Sequence, residues 1–155
     1  MITRQEILDQ AREAGKEAAL DLATRAPEMT GAEIIDEQDS VPAWNASTNY
    51  TQIGCPVQYN DQVYTLLQAH NSSYYAGQTP ASLPALWSIR HTTNPAKAKT
   101  YMAPNGQSGM YMKNDCCTEN GHVYQSTIDN NVWPPSGYPD GWTDLGTVED
   151  VQGAI

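Results

Sequence analysis

Two stretches of this chain repeat one another at a fixed spacing, and no other feature limits its fold as strongly. The first runs Trp44, Tyr50, Gly54-Cys55-Pro56-Val57-Gln58-Tyr59-Asn60-Asp61-Gln62-Val63-Tyr64 and closes on Pro84-Ala85-Leu86-Trp87. The second starts at Tyr111, passes through Asp115-Cys116-Cys117 and Gly121-His122-Val123-Tyr124, and closes on Trp142. The offset is 117 − 57 = 60 at the first run of each and 124 − 64 = 60 at the second. Two equal offsets and two closing tryptophans predict a tandem duplication, and a repeat at a fixed period governs the whole fold expectation.

Within each copy the pattern is that of a hairpin. Val57 and Tyr59 alternate around Gln58, Asn60-Asp61 makes a polar corner, and Val63-Tyr64-Thr65-Leu66-Leu67 resumes a β-rich run,. The chain has no Phe but nine Tyr and four Trp. Those rings are expected to fill the small cores, with Trp44, Tyr50, Tyr64, Trp87, Tyr111, Tyr124 and Trp142 inside. Units of forty to fifty residues bury little apolar surface and are marginal alone.

Ahead of the repeats the period changes. Thr3 and Glu6 form a capping box. Ile7, Ala11, Ala14, Ala18 and Leu22 then follow at spacings of three and four, predicting a helix over 3–25 that Pro27 ends,. The stripe is narrow and Ala-rich, which suits docking on another helix, a second copy of this chain or a different protein. The alternative is a helix folded back on the β units. Thr30 and Glu33 form a second capping box opening a short helix through Asp36, and Asp36-Glu37-Gln38-Asp39-Ser40 reads as an acidic linker.

The expected architecture is mainly β. It comprises an N-terminal helical segment and linker (1–41), a first β module (42–90), a linker (91–100), a second β module (101–146) and a loose acidic tail (147–155). Tyr101 is expected to open the second module as Trp44 opens the first. Asn105-Gly106-Gln107-Ser108-Gly109 is a turn cluster,. Two long polar loops stand out, one between Leu67 and Pro84 and one over 130–138; long loops in small domains tend to carry function.

Composition excludes several classes. A net charge of −10 argues against nucleic acid, which needs clustered Lys and Arg, and against an anionic membrane surface,. No apolar run approaches the length of a spanning helix. Met1-Ile2-Thr3-Arg4-Gln5-Glu6 has no secretory pattern, so a protein acting outside a cell is expected to be released by lysis, as a virion component is,. The three cysteines (Cys55, Cys116, Cys117) lack Cys-x-x-Cys spacing, and His70, His91 and His122 form no ligand cluster; buried reduced thiols and no cofactor are expected,. No nucleophile elbow, phosphate loop or zinc-hydrolase helix is present, and the acidic residues lie mostly in the helix, linker and tail,. A non-enzyme is expected.

The order Trp, Tyr, Gly-x-x-Val-x-Tyr, Val-Tyr, Pro, Trp resembles the small chitin- and cellulose-binding modules of carbohydrate-binding module families five and twelve. Leu67-Gln68-Ala69-His70 with Pro84-Ala85-Leu86-Trp87, and Ile128-Asp129-Asn130-Asn131-Val132-Trp133 with Tyr138-Pro139-Asp140-Gly141-Trp142, are similar to tandem copies in phage and prophage proteins. The resemblance spans roughly residues 42–146. It implies a non-catalytic virion-surface protein that attaches to a cell-surface polysaccharide and docks on other virion proteins, or on itself, through the N-terminal helix. The second reading is a purely structural head or tail accessory protein; the third, a binding module detached from a secreted glycosidase. Members often carry adjacent aromatics soon after the Val-Tyr strand, whereas this chain has Ala69-His70 there, so that flat platform does not transfer.

A pyranose offers an apolar C–H face to a ring and hydroxyls to polar side chains around it. The candidate glycan-contact residues are His70, Tyr74 and Tyr75 in the first loop and Trp133 and Tyr138 in the second. Each ring is either exposed for stacking or part of the core, and exposed ring faces at Tyr74, Tyr75 and Trp133 favour the glycan reading.

Overall fold

The two hairpins form as the residue pattern requires. In the computed structural model, which describes residues 1–104 and 108–153, β2 (Pro56–Tyr59) pairs antiparallel with β3 (Gln62–Leu66), placing Val57 opposite Tyr64 and Tyr59 opposite Gln62. Strand β7 (Cys116–Glu119) pairs with β8 (His122–Ser126), placing Cys117 opposite Tyr124 and Glu119 opposite His122. The register is the same in both, at the offset 117 − 57 = 60. Each turn has two residues at positive φ, Asn60 and Asp61 in one and Asn120 and Gly121 in the other. That is the backbone twist a two-residue hairpin needs, and Asn, Asp and Gly are the residues that tolerate it.

The equivalence extends beyond the hairpins. Strand β5 (Trp87–Arg90) sets Trp87 opposite Leu66, and β9 (Trp142–Thr147) sets Trp142 opposite Ser126. Leu67 N–H donates to Leu86 O, and Thr127 N–H donates to Gly141 O. Trp44 N–H donates to Gln58 O as Tyr101 N–H donates to Thr118 O, so the two residues hold corresponding places beside the first hairpin strand of each unit. Tyr50 packs edge-to-face on Trp87, and Tyr111 does the same on Trp142. A further pair, β1 (Asn49–Tyr50) with β4 (His70–Asn71), edges the first unit. The turn expected at 105–109 lies outside the described residues except for Ser108 and Gly109.

One face of each sheet buries the aromatic cluster. In the first unit Val57, Tyr64, Leu66, Leu86 and Trp87 are buried, with Trp44, Tyr50, Tyr59 and Tyr75 packed around them. In the second, Tyr111, Cys117 and Trp142 are buried, flanked by Tyr101 and Tyr124. All three cysteines are free thiols. Burial pushes the Cys116 thiol up to about 11 and Cys117 higher still, so both pack as small apolar groups,.

The opposite faces correct the expected boundaries. Helix α1 (Arg4–Arg25) and helix α2 (Gly31–Asp36) carry the two capping boxes read from the sequence. Leu22, Ala26, Ile34, Ile35 and Val41 then form one buried cluster with Val63 of β3. Residues 22–41 are therefore the second half of the first unit's core. Asp36-Glu37-Gln38-Asp39-Ser40 is no free linker: Gln38–Ser40 form a 3-10 turn, Arg25 holds Glu37 through two hydrogen bonds, and Gln58 Nε2 donates to Val41 O at 2.6 Å.

Residues 91–100 are likewise built into the second unit. Thr92 is buried and bridges Cys116, Ala98 lies in a core cluster with Val123, and β6 (Lys99–Thr100) runs parallel to β7. The tail is ordered as far as described: Thr147 caps α3 (Val148–Gln152), whose Val148 and Val151 pack with Leu145 over Cys116 and Val123. Helix, 3-10 turns included, occupies 34% of the described residues and strand 26%, so mainly β describes the two units and not α1.

The units are locked together. Gln62 Nε2 donates to Thr100 O, and Lys99 reaches both Gln38 and Asp61. The His91 ring stacks on Tyr111 at 3.7 Å and hydrogen-bonds Gly109 O. Gly31 lies so close to the His91 backbone that a Cβ there would meet the carbonyl oxygen at 2.2 Å,.

Candidate functional site

The first long loop divides its candidate residues between core and surface. His70 lies on β4, and its ring stands edge-on to Trp87 and Tyr75, with centroids 5.5 Å from each. Its Nδ1 meets Gln68 O at 2.9 Å, while Nε2 is sealed from solvent. Tyr75 is half-buried in the same aromatic cluster. Both therefore pack against the core layer, so of the two alternatives open for Tyr75 the structure shows the partly buried one. Tyr74 is 83% exposed. It ends a 3-10 turn (Ser72–Tyr74) that Asn71 caps and that the buried Ser72 anchors by donating to Asn45 O.

The second long loop is held more firmly and shows more ring. Asn131 is fully buried; its Nδ2 donates to Ser126 Oγ and Gly141 O, and its backbone exchanges both hydrogen bonds with Tyr111. Tyr101 Oη donates to Val132 O, and Trp142 Nε1 donates to Trp133 O. On this frame Trp133 is 50% exposed and Tyr138 is 37% exposed, and their rings pack edge-to-face at 5.2 Å. Tyr138 rests on Gly141, where a Cβ would sit 2.7 Å from the ring. The two tryptophans differ here: Trp87 Nε1 has no partner among the described residues, while Trp142 Nε1 has the Trp133 carbonyl.

Polar groups missed in the sequence stand on the elements next to this second pair. Glu119 accepts from Ser136 N–H within the loop. Asp140 sits in the 3-10 turn Pro139–Gly141 that follows Tyr138. Across the sheet, Asp144 accepts from His122 Nδ1 at 3.0 Å and from Gly146 N–H, which hold its carboxyl below the usual carboxylate range. The available signal was charge: residues 114–155 hold seven Asp or Glu and no Lys or Arg, while residues 43–88 hold only Asp61.

Of the helix stripe, Ile7, Ala11 and Ala14 are exposed and Ala18 is half-buried. Leu22 is 0% exposed and belongs to the chain's own core, so it leaves the docking face. No helix among the described residues is long and apolar enough to cross a membrane. Nor do any three His, Cys, Asp or Glu among them come close enough to share a metal ion.

Compared with known families, residues 43–88 match the sequence profile of carbohydrate-binding module family 5/12, a family of non-catalytic binding modules. That is 88 − 43 + 1 = 46 of 155 residues, the whole of the first unit's aromatic half. No curated protein matches the chain.

Proposed function

We propose that this protein is a non-catalytic attachment protein of a phage or prophage particle, binding surface glycans through exposed rings on two duplicated β units. The observation that carries the glycan reading is the family match over the first sheet, together with rings left in solvent on both long loops, Tyr74 on one and Trp133 and Tyr138 on the other. A half-exposed ring on a pinned loop provides stacking area at small ordering cost, which is what recognition of a sugar's apolar face requires. The shared hairpin register and closing tryptophans support common descent of the two units.

The N-terminal helix supports the particle reading. From Arg4 to Glu17 every residue is exposed, so over half of α1 contributes nothing to the buried core. Isolated helices of that length are marginal in water, and most helical stability in proteins comes from packing of one face. The exposed Ile7, Ala11 and Ala14 face is the docking element, for another particle protein or a second copy.

A glycan array probed with the full chain, native and heat-denatured, tests the proposal. Binding of one glycan class by native protein alone is expected. An array with no binding overturns the attachment role and leaves a purely structural one.

A further inference from the structure

The two units face solvent with different charge. The first, over 43–88, has one acidic residue and no Lys or Arg. The second carries the Trp133–Tyr138 pair, with three carboxylates on the elements next to its loop. Glu119 has one oxygen on Ser136 N–H and the other without a partner among the described residues, Asp140 lies two residues beyond Tyr138, and Asp144 stands on the sheet face shared with Glu119 and Tyr124. On that face His122 is tied to Asp144, and Lys99, in register with Cys117, is tied to Asp61. An electron-rich indole face in a field of fixed carboxylates attracts a cation and repels an anion.

Resting on the glycan-binding reading above, the geometry points to a ligand class for this surface: a glycan bearing free amino groups, whose ammonium groups meet Glu119, Asp140 and Asp144 while a sugar face stacks on Trp133. Acidic polysaccharides are repelled, and neutral ones gain only the stacking. The pair is preorganised for such a contact, because Asn131, Tyr101 and Trp142 fix the loop backbone on both sides of Trp133.

The test is calorimetric titration of the full chain with three probes: a glucosamine hexamer with free amines, the N-acetylglucosamine hexamer of equal length, and polylysine as a polycation without sugar faces. The amine hexamer is expected to bind more tightly than the acetylated one. Trp133→Ala removes both the sugar stacking and the cation–π contact from the amine hexamer and should weaken it about tenfold, and it should weaken polylysine, which has no sugar face, by less. The triple variant Glu119→Gln, Asp140→Asn, Asp144→Asn keeps the hydrogen-bond acceptors; it should weaken the amine hexamer about tenfold with an unchanged melting temperature. Equal binding of the two hexamers, or no response of the amine hexamer to the triple variant, overturns the assignment. So does a Trp133→Ala protein that stays folded and binds the amine hexamer as the parent does, since the attraction is then bulk charge. If a neutral glycan binds through Tyr74 while the amine hexamer behaves like polylysine, the ligand class falls and glycan attachment stands. If no carbohydrate binds at all, both fall.

Discussion

Val63 and Val123 stand at the same strand position, 123 − 63 = 60 residues apart, both fully buried, and the helices that cover them come from opposite ends of the chain. Leu22, Ile34 and Ile35 close over Val63 from the N-terminal side; Val148 and Val151 close over Val123 from the C-terminal side. Each sheet has two apolar faces, and a small unit with one face bare would bury too little surface to fold. Val63→Ala and Val123→Ala are each expected to cost about 2 kcal/mol. A chain lacking residues 1–41 should lose cooperative unfolding of the first unit, whereas one lacking residues 1–17 should keep the parent melting temperature. Calorimetric melts of the two truncations check this; a folded, cooperative first unit without residues 18–41 would contradict it.

The aromatic residues separate by burial. Trp87 is 1% exposed, so Trp87→Ala should cost roughly 3–5 kcal/mol,. Tyr74→Ala changes an exposed side chain and should stay within about 0.5 kcal/mol. Tyr75→Ala should fall between them, because its ring packs on His70 and the first unit's cluster. Chemical denaturation of the three variants gives the ordering directly.

His91 makes the fold acid-sensitive. Burial between Gly31 and Tyr111 lowers its pKa to about 4 from an ordinary 6.5, so as pH falls the unfolded chain takes up the proton first,. The stability held by the neutral ring is complete above about pH 6.5 and lost as pH falls toward 4; a displacement of that size is worth about 3 kcal/mol. His91→Phe keeps the stack on Tyr111 and should flatten the stability–pH curve across that window. Equal slopes for parent and variant between pH 6.5 and 4 would contradict the assignment.

The free half of α1 should behave as a docking element in waiting. In the dilute monomer, amides over residues 4–17 are expected to exchange within seconds, while those of Ile34, Ile35 and Val63 stay protected. Protection of residues 4–17 should rise with protein concentration. Strong protection in a dilute monomer would show the helix packed within its own chain.

The parts of the fold legible in the sequence were those set by local chemistry. The two capping boxes at Thr3 and Thr30, the positive-φ turns at Asn60 and Asn120, and the sixty-residue register of the hairpins each rest on a few neighbouring residues. What escaped depends on distant partners. Lys99–Thr100 is a two-residue strand with no period to read, and it exists because β7 offers an edge. Leu22 continues the stripe of Ile7 and Ala11, and only the meeting of α1 with α2 and β3 decides that it turns inward. The closing helix did leave a local trace: Thr147 followed by Asp150 is an N-cap pattern, hidden in a segment judged by its charge,. At the candidate surface, ring identity was legible and ring exposure was not, since Tyr74 and Tyr75 are adjacent in sequence and opposite in environment.

The central claim is that rings on the two long loops bind glycan while the rings beneath them hold the fold. It is tested most directly by affinity electrophoresis of the parent and the Tyr74→Ala, Trp133→Ala double variant through gels containing the polysaccharide selected on the array. The account predicts that the parent is retarded and that the double variant migrates as in a gel without polysaccharide, with its melting temperature unchanged. A folded double variant retarded as strongly as the parent would contradict it.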